Sequence, residues 1–135
     1  MKAMIFAAGL GTRLYPLTSS VPKALVKVAG KTLLQRAIEK VSQAGFNEIV
    51  INIHHFGDQI IEFLNLNQYF GLNIRISDER EQLLDTGGAI VKAASLLKGT
   101  EPFLVYNVDV LSNLDLSRLY DYHVKNGGIA TLAVR

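Results

Sequence analysis

Apolar and polar residues follow two different spacings along the chain, one typical of strands and the other typical of helices. Five short apolar segments are rich in β-branched or aromatic residues, and segments with helical spacing separate most of them. This alternation predicts an α/β fold: a Rossmann-like, doubly wound and mainly parallel sheet with helices on both faces. The predicted strands are residues 2–8, 48–53, 72–77, 102–108 and 128–134.

Four helices are predicted from the same pattern. The first covers residues 31–44 and ends at Gly45, because glycine readily adopts the left-handed conformation that follows a helix. The second starts near Asp58, and the third spans residues 86–98. The fourth begins at Asp115, a good N-cap residue, and ends before a pair of glycines. The apolar face of the first helix is formed by Leu33, Leu34, Ala37, Ile38, Val41 and Ala44.

Composition limits the class of protein. A chain of 135 residues with 49% hydrophobic residues suits one domain with a single core. No apolar run reaches the ~18 residues that a membrane helix needs, and glycines interrupt the N-terminus where a signal peptide would stay apolar. We therefore expect a cytoplasmic protein without a membrane partner. The lack of cysteine excludes disulfides, thiolate metal sites and cysteine nucleophiles.

Positive charge is concentrated towards the N-terminus. The formal net charge is +2, yet residues 1–40 hold seven lysines and arginines against one acid, Glu39. These basic residues are scattered and lack interleaved aromatic residues, which argues against nucleic-acid binding. A solvated basic face is one interpretation, and a site for a small anionic ligand is the other.

Candidate chemistry lies where two predicted strands end. Ligands of open α/β sheets bind at the carboxyl ends of the strands. Gly9 and Gly11 follow the first strand and allow backbone N–H groups to form an anion-binding nest, with Arg13 next to it. Asp109 places a carboxylate after a later strand. Together these residues indicate a phosphate-binding site.

Two common phosphate motifs do not fit this loop. A dinucleotide fingerprint, G-x-G-x-x-G, needs a third glycine where the chain has Leu14, and the P-loop motif is absent from the segment. A dinucleotide enzyme would also carry an acid after the second strand, where His54 and His55 stand instead.

The loop fits a third, longer motif. Residues 9–18 read G-x-G-T-R-L-x-P-L-T and are followed by Pro-Lys at 22–23, a pattern that resembles the sugar-1-phosphate nucleotidyltransferase family. The resemblance continues through residues 24–31, 86–88 and 107–109, so it covers essentially the whole chain. It implies a transferase that joins an NTP to a sugar 1-phosphate, forms a nucleotide sugar and releases pyrophosphate, with Mg²⁺ as the cofactor.

Several activities are compatible with this resemblance. Within the family, the sequence resembles mannose-1-phosphate guanylyltransferases and N-acetylmuramate-1-phosphate uridylyltransferases, and we favour the former. Transfer of a uridylyl or thymidylyl group to glucose 1-phosphate is an alternative. A non-catalytic module that senses a nucleotide sugar is the rival from another class, although an intact set of Arg13, Lys23 and Asp109 argues against it.

The resemblance implies two catalytic residues. Arg13 would stabilise the departing pyrophosphate with its planar fork of donors, and Lys23 would neutralise phosphate charge around the reacting centre. The triphosphate would be wrapped by the backbone of the surrounding loop, formed by Ala8, Gly9, Gly11 and Thr12.

Further residues are assigned to the base, the sugar and the metal. Gly87 and Gly88 would let a flat base approach the backbone, and Thr86 is the expected N-cap of the helix that follows. Asn107 would bind the sugar or orient Asp109. Asp109 itself is the expected Mg²⁺ ligand, because Mg²⁺ prefers carboxylate and phosphate oxygens.

Two other polar groups receive no catalytic role. His54 and His55 are adjacent on an extended segment and therefore face opposite ways, which makes them a poor chelate. A second group is a charged cluster that either borders the base or is simply a solvated loop, and we favour the solvated loop; it is formed by Asp78, Glu79, Arg80, Glu81 and Asp85.

Members of the family generally extend further than Arg135, with a second metal-binding aspartate and a lysine near the sugar phosphate. We therefore expect residues 1–135 to be the N-terminal, nucleotide-binding portion of a nucleotidyltransferase domain that lacks its C-terminal, sugar-binding portion. Its expected partners are an NTP and a sugar 1-phosphate, and homo-oligomerisation is left open.

Overall fold

The computed structural model describes residues 1–134. A four-stranded parallel sheet forms its centre, with its strands side by side in the order 73–78, 48–53, 2–6 and 103–107. The first four predicted strands are confirmed to within two residues at each end. The strands of this sheet are β1 Lys2–Phe6, β4 Glu48–Ile53, β5 Asn73–Asp78 and β6 Phe103–Asn107. A separate two-stranded antiparallel ribbon consists of β2 Lys27–Val28 and β3 Lys31–Thr32.

Helices cover both faces of the sheet, as the alternating pattern predicted. One face packs against α1 Leu33–Gln43, α2 Gly57–Leu66 and α5 Leu116–Asn126, and the other against α3 Thr86–Lys92 and α4 Ala94–Leu97. The longest helices have 11 residues, so no helix within residues 1–134 is long and apolar enough to cross a membrane.

Local signals explain where α1 and α5 begin and end. The Thr32 hydroxyl accepts from the N–H of Gln35 at 3.0 Å, and the predicted cap Asp115 accepts from the N–H of Arg118 at 3.0 Å. Both bonds satisfy an amide that the first helical turn leaves unpaired. After α1, Gly45 has a φ of 90°, as expected for a glycine that ends a helix.

The core has two parts, one on each side of the sheet. The larger part joins the inward face of α1 to one side of β1 and β4, and the predicted apolar residues of α1 are buried except Ala44, which is half-buried. The smaller part is built from Met4, Val50, Ala89, Ala93 and Leu97.

Three sequence-based expectations are wrong. Residues 128–134 form no strand, because their strand-forming side chains have no neighbouring strand to pack and pair with. Ile129 and Val134 are accordingly 105% and 88% exposed. The third helix divides at Ala93 into α3 and α4. Thr86 is the first residue of α3, and Asp85 occupies the N-cap position without a side-chain capping bond.

Candidate active site

The loop after β1 begins at the centre of the sheet. Ala7 and Ala8 are buried, whereas Gly9 is exposed. The chain then turns at Gly11 into a short 3-10 helix, Thr12–Leu14. This loop lies beyond the carboxyl ends of β1 and its two neighbours, where parallel sheets of this order bind their ligands.

Gly11 is the position at which the loop needs glycine. Its φ is 69°, in the left-handed region. A Cβ placed there would lie 2.8 Å from Thr18 Cγ2 and 3.0 Å from Lys23 Cβ. Thr18 is buried, and its hydroxyl donates to the Gly11 carbonyl at 2.8 Å. The bend therefore brings the loop directly against the residue pair Thr18 and Lys23.

Arg13 is exposed on this loop, in the 3-10 helix. Within residues 1–134 its guanidinium makes neither a hydrogen bond nor an ion pair. The group is thus available to an anion that approaches from solvent. Thr12, beside it, is also exposed.

Lys23 and Asp109 meet across the carboxyl edge of the sheet. Lys23 follows the buried Pro22 and begins a second 3-10 helix, Lys23–Leu25, while Asp109 lies two residues beyond β6. Their side chains form an ion pair although they are 86 positions apart in the sequence. The lysine side chain is 20% exposed and the carboxylate 42%, so the pair is open to solvent on one side.

A cavity of about 240 Å³ lies on the α3 face of the sheet, and its lining includes Asn107, two residues before Asp109. Its floor is formed by Phe6, Asn52 and Asn107, which stand side by side on β1, β4 and β6. Ala8 and Gly9 form one wall. The opposite wall is the segment before and into α3, formed by Leu83, Leu84, Asp85, Thr86 and Ala89.

The predicted site residues are therefore divided between three neighbouring places. Ala8, Gly9 and Asn107 line the cavity, Arg13 with Gly11 and Thr12 lies on the loop that continues from it, and Lys23 is paired with Asp109. Gly87 and Gly88 do not line the cavity but follow Thr86 in the first turn of α3. A Cβ on Gly88 would lie 3.2 Å from Leu84 Cβ, whereas Gly87 has open space around it.

Two buried polar residues were missed from the sequence. Asn52 is 2% exposed and Glu79 is 0% exposed. Asn52 Nδ2 donates to Glu79 Oε1 at 2.9 Å, and Asn52 Oδ1 accepts from the N–H of Ala7 at 2.8 Å. A polar residue near the end of the buried run EIVINI was the available signal for Asn52. Nothing in the local sequence distinguished Glu79, and the expectation that it lies in a solvated loop is wrong.

The rest of that charged cluster is exposed, as predicted. Arg80 forms ion pairs with Asp78 and Asp58, and its hydrogen bonds hold the pKa of Asp78 below the ordinary value. Asp78 is the last residue of β5, and Arg80 directly follows the buried Glu79, whereas Asp58 belongs to α2.

The available ligands fit a metal only in part. The half-exposed Asp109 offers one hard oxygen donor, which suits Mg²⁺ because this ion often takes one or two protein carboxylates together with substrate phosphates. His54 Nδ1 contacts the Glu79 carbonyl at 2.7 Å, while the ring of His55 lies against Phe56 in a tilted arrangement, so the two imidazoles have different partners. Within residues 1–134, no three His, Asp or Glu side chains come together as a metal site.

Comparison with known proteins supports the resemblance to nucleotidyltransferases that the sequence motifs indicated. The family model described as Nucleotidyl transferase matches residues 2–135. The chain is 47% identical over 120 residues to the N-acetylmuramate alpha-1-phosphate uridylyltransferase of Neisseria meningitidis serogroup B, covering 89% of this chain and 52% of that protein. It is 38% identical over 136 residues to the probable mannose-1-phosphate guanylyltransferase 3 of Oryza sativa subsp. japonica, covering 99% of this chain and 38% of that protein.

Solved structures give the same result at the level of the fold. HddC from Yersinia pseudotuberculosis, in a crystal structure complexed with GMP-PN, superimposes with a TM-score of 0.80 at 28% identity. The match covers 91% of this chain and 54% of HddC. The chain thus spans about half, or less, of the length of these relatives.

Proposed function

The chain belongs to the nucleotidyl transferase family, and from that membership we propose that it is the nucleotide-binding portion of a sugar-1-phosphate nucleotidyltransferase. The reaction joins an NTP to a sugar 1-phosphate and releases pyrophosphate. One observation carries the proposal: the glycine loop, Lys23 and Asp109 meet at the carboxyl edge of the sheet, next to a cavity. In the proposed enzyme, segments outside residues 1–135 supply the sugar-binding portion.

The loop after β1 would hold the β- and γ-phosphates. Backbone N–H groups between Ala8 and Arg13 are the donors, and the exposed guanidinium of Arg13 adds a charged fork. The sugar phosphate is already ionised near neutral pH, so its oxygen attacks the α-phosphorus without a protein base. Positioning and charge neutralisation supply the catalysis, and no covalent intermediate is needed.

Lys23 would act between the two anions. Its ammonium lies at the edge of the site, where it lowers the repulsion between the incoming phosphate and the triphosphate. Asp109 would hold Mg²⁺, which supplies further neutralisation of phosphate charge when bound. Before substrate and metal bind, the Lys23–Asp109 ion pair would keep both side chains at this position.

The wall from Leu83 to Ala89 would receive the base. It offers two apolar side chains and the first turn of α3, and Gly87 leaves open space beside it. Asn107 on the floor is placed to contact the ribose or the sugar.

The sequence alone favoured guanylyl transfer to mannose 1-phosphate, but we now favour UTP and N-acetylmuramate 1-phosphate as substrates, because identity is higher with the uridylyltransferase than with the guanylyltransferase. GTP and mannose 1-phosphate are the second candidates. They are supported by the guanylyltransferase match over nearly the whole chain and by the nucleotide analogue in the HddC structure.

Calorimetric titration of the 135-residue chain with UTP, GTP, dTTP, CTP and ATP in the presence of Mg²⁺ tests the proposal. We expect one NTP to bind most tightly, and Arg13→Ala to weaken it by roughly tenfold to a hundredfold, because hydrogen bonds to charged groups contribute about 1.5–3 kcal/mol. Arg118→Ala removes an exposed arginine from α5 and is the control. If no NTP binds, or if both variants bind like the wild type, the proposed nucleotide site is wrong.

A pyrophosphate-release assay with the same chain and sugar 1-phosphates tests whether turnover requires the sugar-binding portion. We expect little or no release from residues 1–135 alone. Robust turnover would show that the sugar-binding portion is not needed.

A further inference from the structure

Three hydrogen bonds connect the two walls of the cavity through its buried side. The Ala7 N–H, next to the phosphate loop, donates to Asn52 Oδ1 at 2.8 Å. Asn52 Nδ2 donates to Glu79 Oε1 at 2.9 Å, and Glu79 Oε2 accepts from the N–H of Leu84 at 3.2 Å. Leu84 belongs to the opposite wall. The buried side of the cavity thus contains a continuous hydrogen-bonded bridge from one wall to the other.

We propose that Asn52 and Glu79 are a positioning pair that fixes the spacing between the phosphate loop and the base-side wall. This inference rests on the proposed function, because it takes the segment around Leu84 to contact the base. Glu79 does not line the cavity, and Asn52 is only 2% exposed on its floor. The pair acts on the substrate through the backbone at Ala7 and Leu84, so that one NTP contacts both walls at once.

Hydrogen-bond chemistry specifies both residue types. Asn52 must accept from one amide and donate to Glu79, which a side-chain amide does and a carboxylate does not. Glu79 faces a donor at each oxygen, so it must supply two acceptors, as a carboxylate does. Both are at least 98% buried, and an unpaired group there would be costly, since water does not replace the lost partner.

Glu79 also holds its own segment in place. Its N–H donates to the Ile53 carbonyl at 2.8 Å, and its carbonyl accepts from the N–H of Gln82 at 3.0 Å. The chain therefore leaves β5 along a defined path towards Leu84. A general stabilising role would also explain these contacts, so the test needs a readout other than stability.

The readout is the ratio between the dissociation constants of inorganic triphosphate and of the preferred NTP. Triphosphate engages only the loop, whereas the NTP engages both walls. In Glu79→Gln, the amide NH₂ of the new side chain faces either Asn52 Nδ2 or the N–H of Leu84. Two donors then meet, and one hydrogen bond of the bridge is lost. We expect the ratio to fall about tenfold while triphosphate affinity is unchanged, because a displacement of about 1 Å strongly weakens a positioned contact. Asn52→Asp, measured at a pH high enough to ionise both carboxyl groups, places two carboxylates together and should have the same effect.

The double variant Asn52→Asp, Glu79→Gln restores every bond with the roles exchanged. Asp at 52 accepts from Ala7 and from the new amide, whose oxygen accepts from Leu84. We expect the wild-type ratio to return. Ser77→Ala is the matched control, since Ser77 is 4% exposed, pairs with Asn52 in the sheet, and its hydroxyl has no partner within residues 1–134.

All measurements are made well below each variant's melting temperature, with the fold checked by circular dichroism. Single variants that melt earlier but keep the wild-type ratio would overturn the inference and leave the proposed function intact. A wild-type chain that binds the NTP no more tightly than triphosphate would overturn both. Should Glu79→Gln not fold, Glu79→Asp serves instead: it keeps both acceptors but shortens the bridge, and an unchanged ratio would overturn the pair's role.

Discussion

Replacing Gly11 by alanine tests the geometry on which the whole phosphate loop depends. The substitution adds one methyl group at a φ of 69°, 2.8 Å from Thr18 Cγ2 and 3.0 Å from Lys23 Cβ. Thr18 cannot rotate away freely, because its hydroxyl is bonded to the Gly11 carbonyl. The Lys23 Cβ is attached directly to the backbone and is equally constrained.

Two costs should add at Gly11. An L-residue in the left-handed region costs about 1–2 kcal/mol, and inserting a methyl group into a packed site typically costs about 1–3 kcal/mol. Gly71 has a φ of 67° with no atom within 4 Å of the added methyl, so Gly71→Ala carries the first cost alone. The loss of unfolded-state entropy is the same in both variants and cancels in the difference.

Urea denaturation followed by circular dichroism measures the two free energies of unfolding. We expect Gly11→Ala to be less stable than Gly71→Ala by about 1–3 kcal/mol, which is the packing cost alone. We also expect it to bind the preferred NTP more weakly, because Lys23 must move. Equal destabilisation by the two alanines would refute the argument that Gly11 is required by close packing against Thr18 and Lys23.

Three further predictions follow from single contacts. Lys23→Ala should weaken NTP binding about tenfold in calorimetry, because a charge-assisted contact is lost. Lys27→Ala on the exposed ribbon is the control and should leave binding unchanged. Asp115→Ala removes a helix cap and should lower the urea-derived stability by about 0.5–2 kcal/mol; an unchanged midpoint would contradict the capping role. The hydrogen bond from Lys31 lowers the pKa of Glu39 from 4.5, so this pair stabilises the fold above the ordinary pKa and loses that effect as pH falls through the folded value. Lys31→Ala should return the pKa towards 4.5 in a carbon-13 titration, and an unmoved pKa would refute the cause.

Much of the fold was predictable because its signals are local. Strands β1, β4, β5 and β6 are short apolar runs, and α1 shows a complete apolar face followed by Gly45. The failure at residues 128–134 has the opposite origin. Apolar and β-branched residues show only that a segment is suited to a sheet, and pairing requires an adjacent strand.

The candidate site was only partly predictable. Its loop, Lys23 and Asp109 carry a long sequence motif, and the structure places them at one edge of the sheet. The bridge through Asn52 and Glu79 carries no such motif. A glutamate in a charged stretch has the composition of a solvated loop, and burial depends on what packs around it.

The sequence by itself determined the order of the four sheet strands and of the helices α1, α2 and α5, the turn chemistry of the glycine loop and the family to which the chain belongs, because each of these is encoded in short segments of the chain. Only the tertiary structure decided that Lys23 pairs with Asp109 and that Glu79 is buried against Asn52. These contacts join residues separated by 86 and 27 positions. Their geometry follows from the side-by-side pairing of parallel strands that are distant in sequence, which no local periodicity encodes.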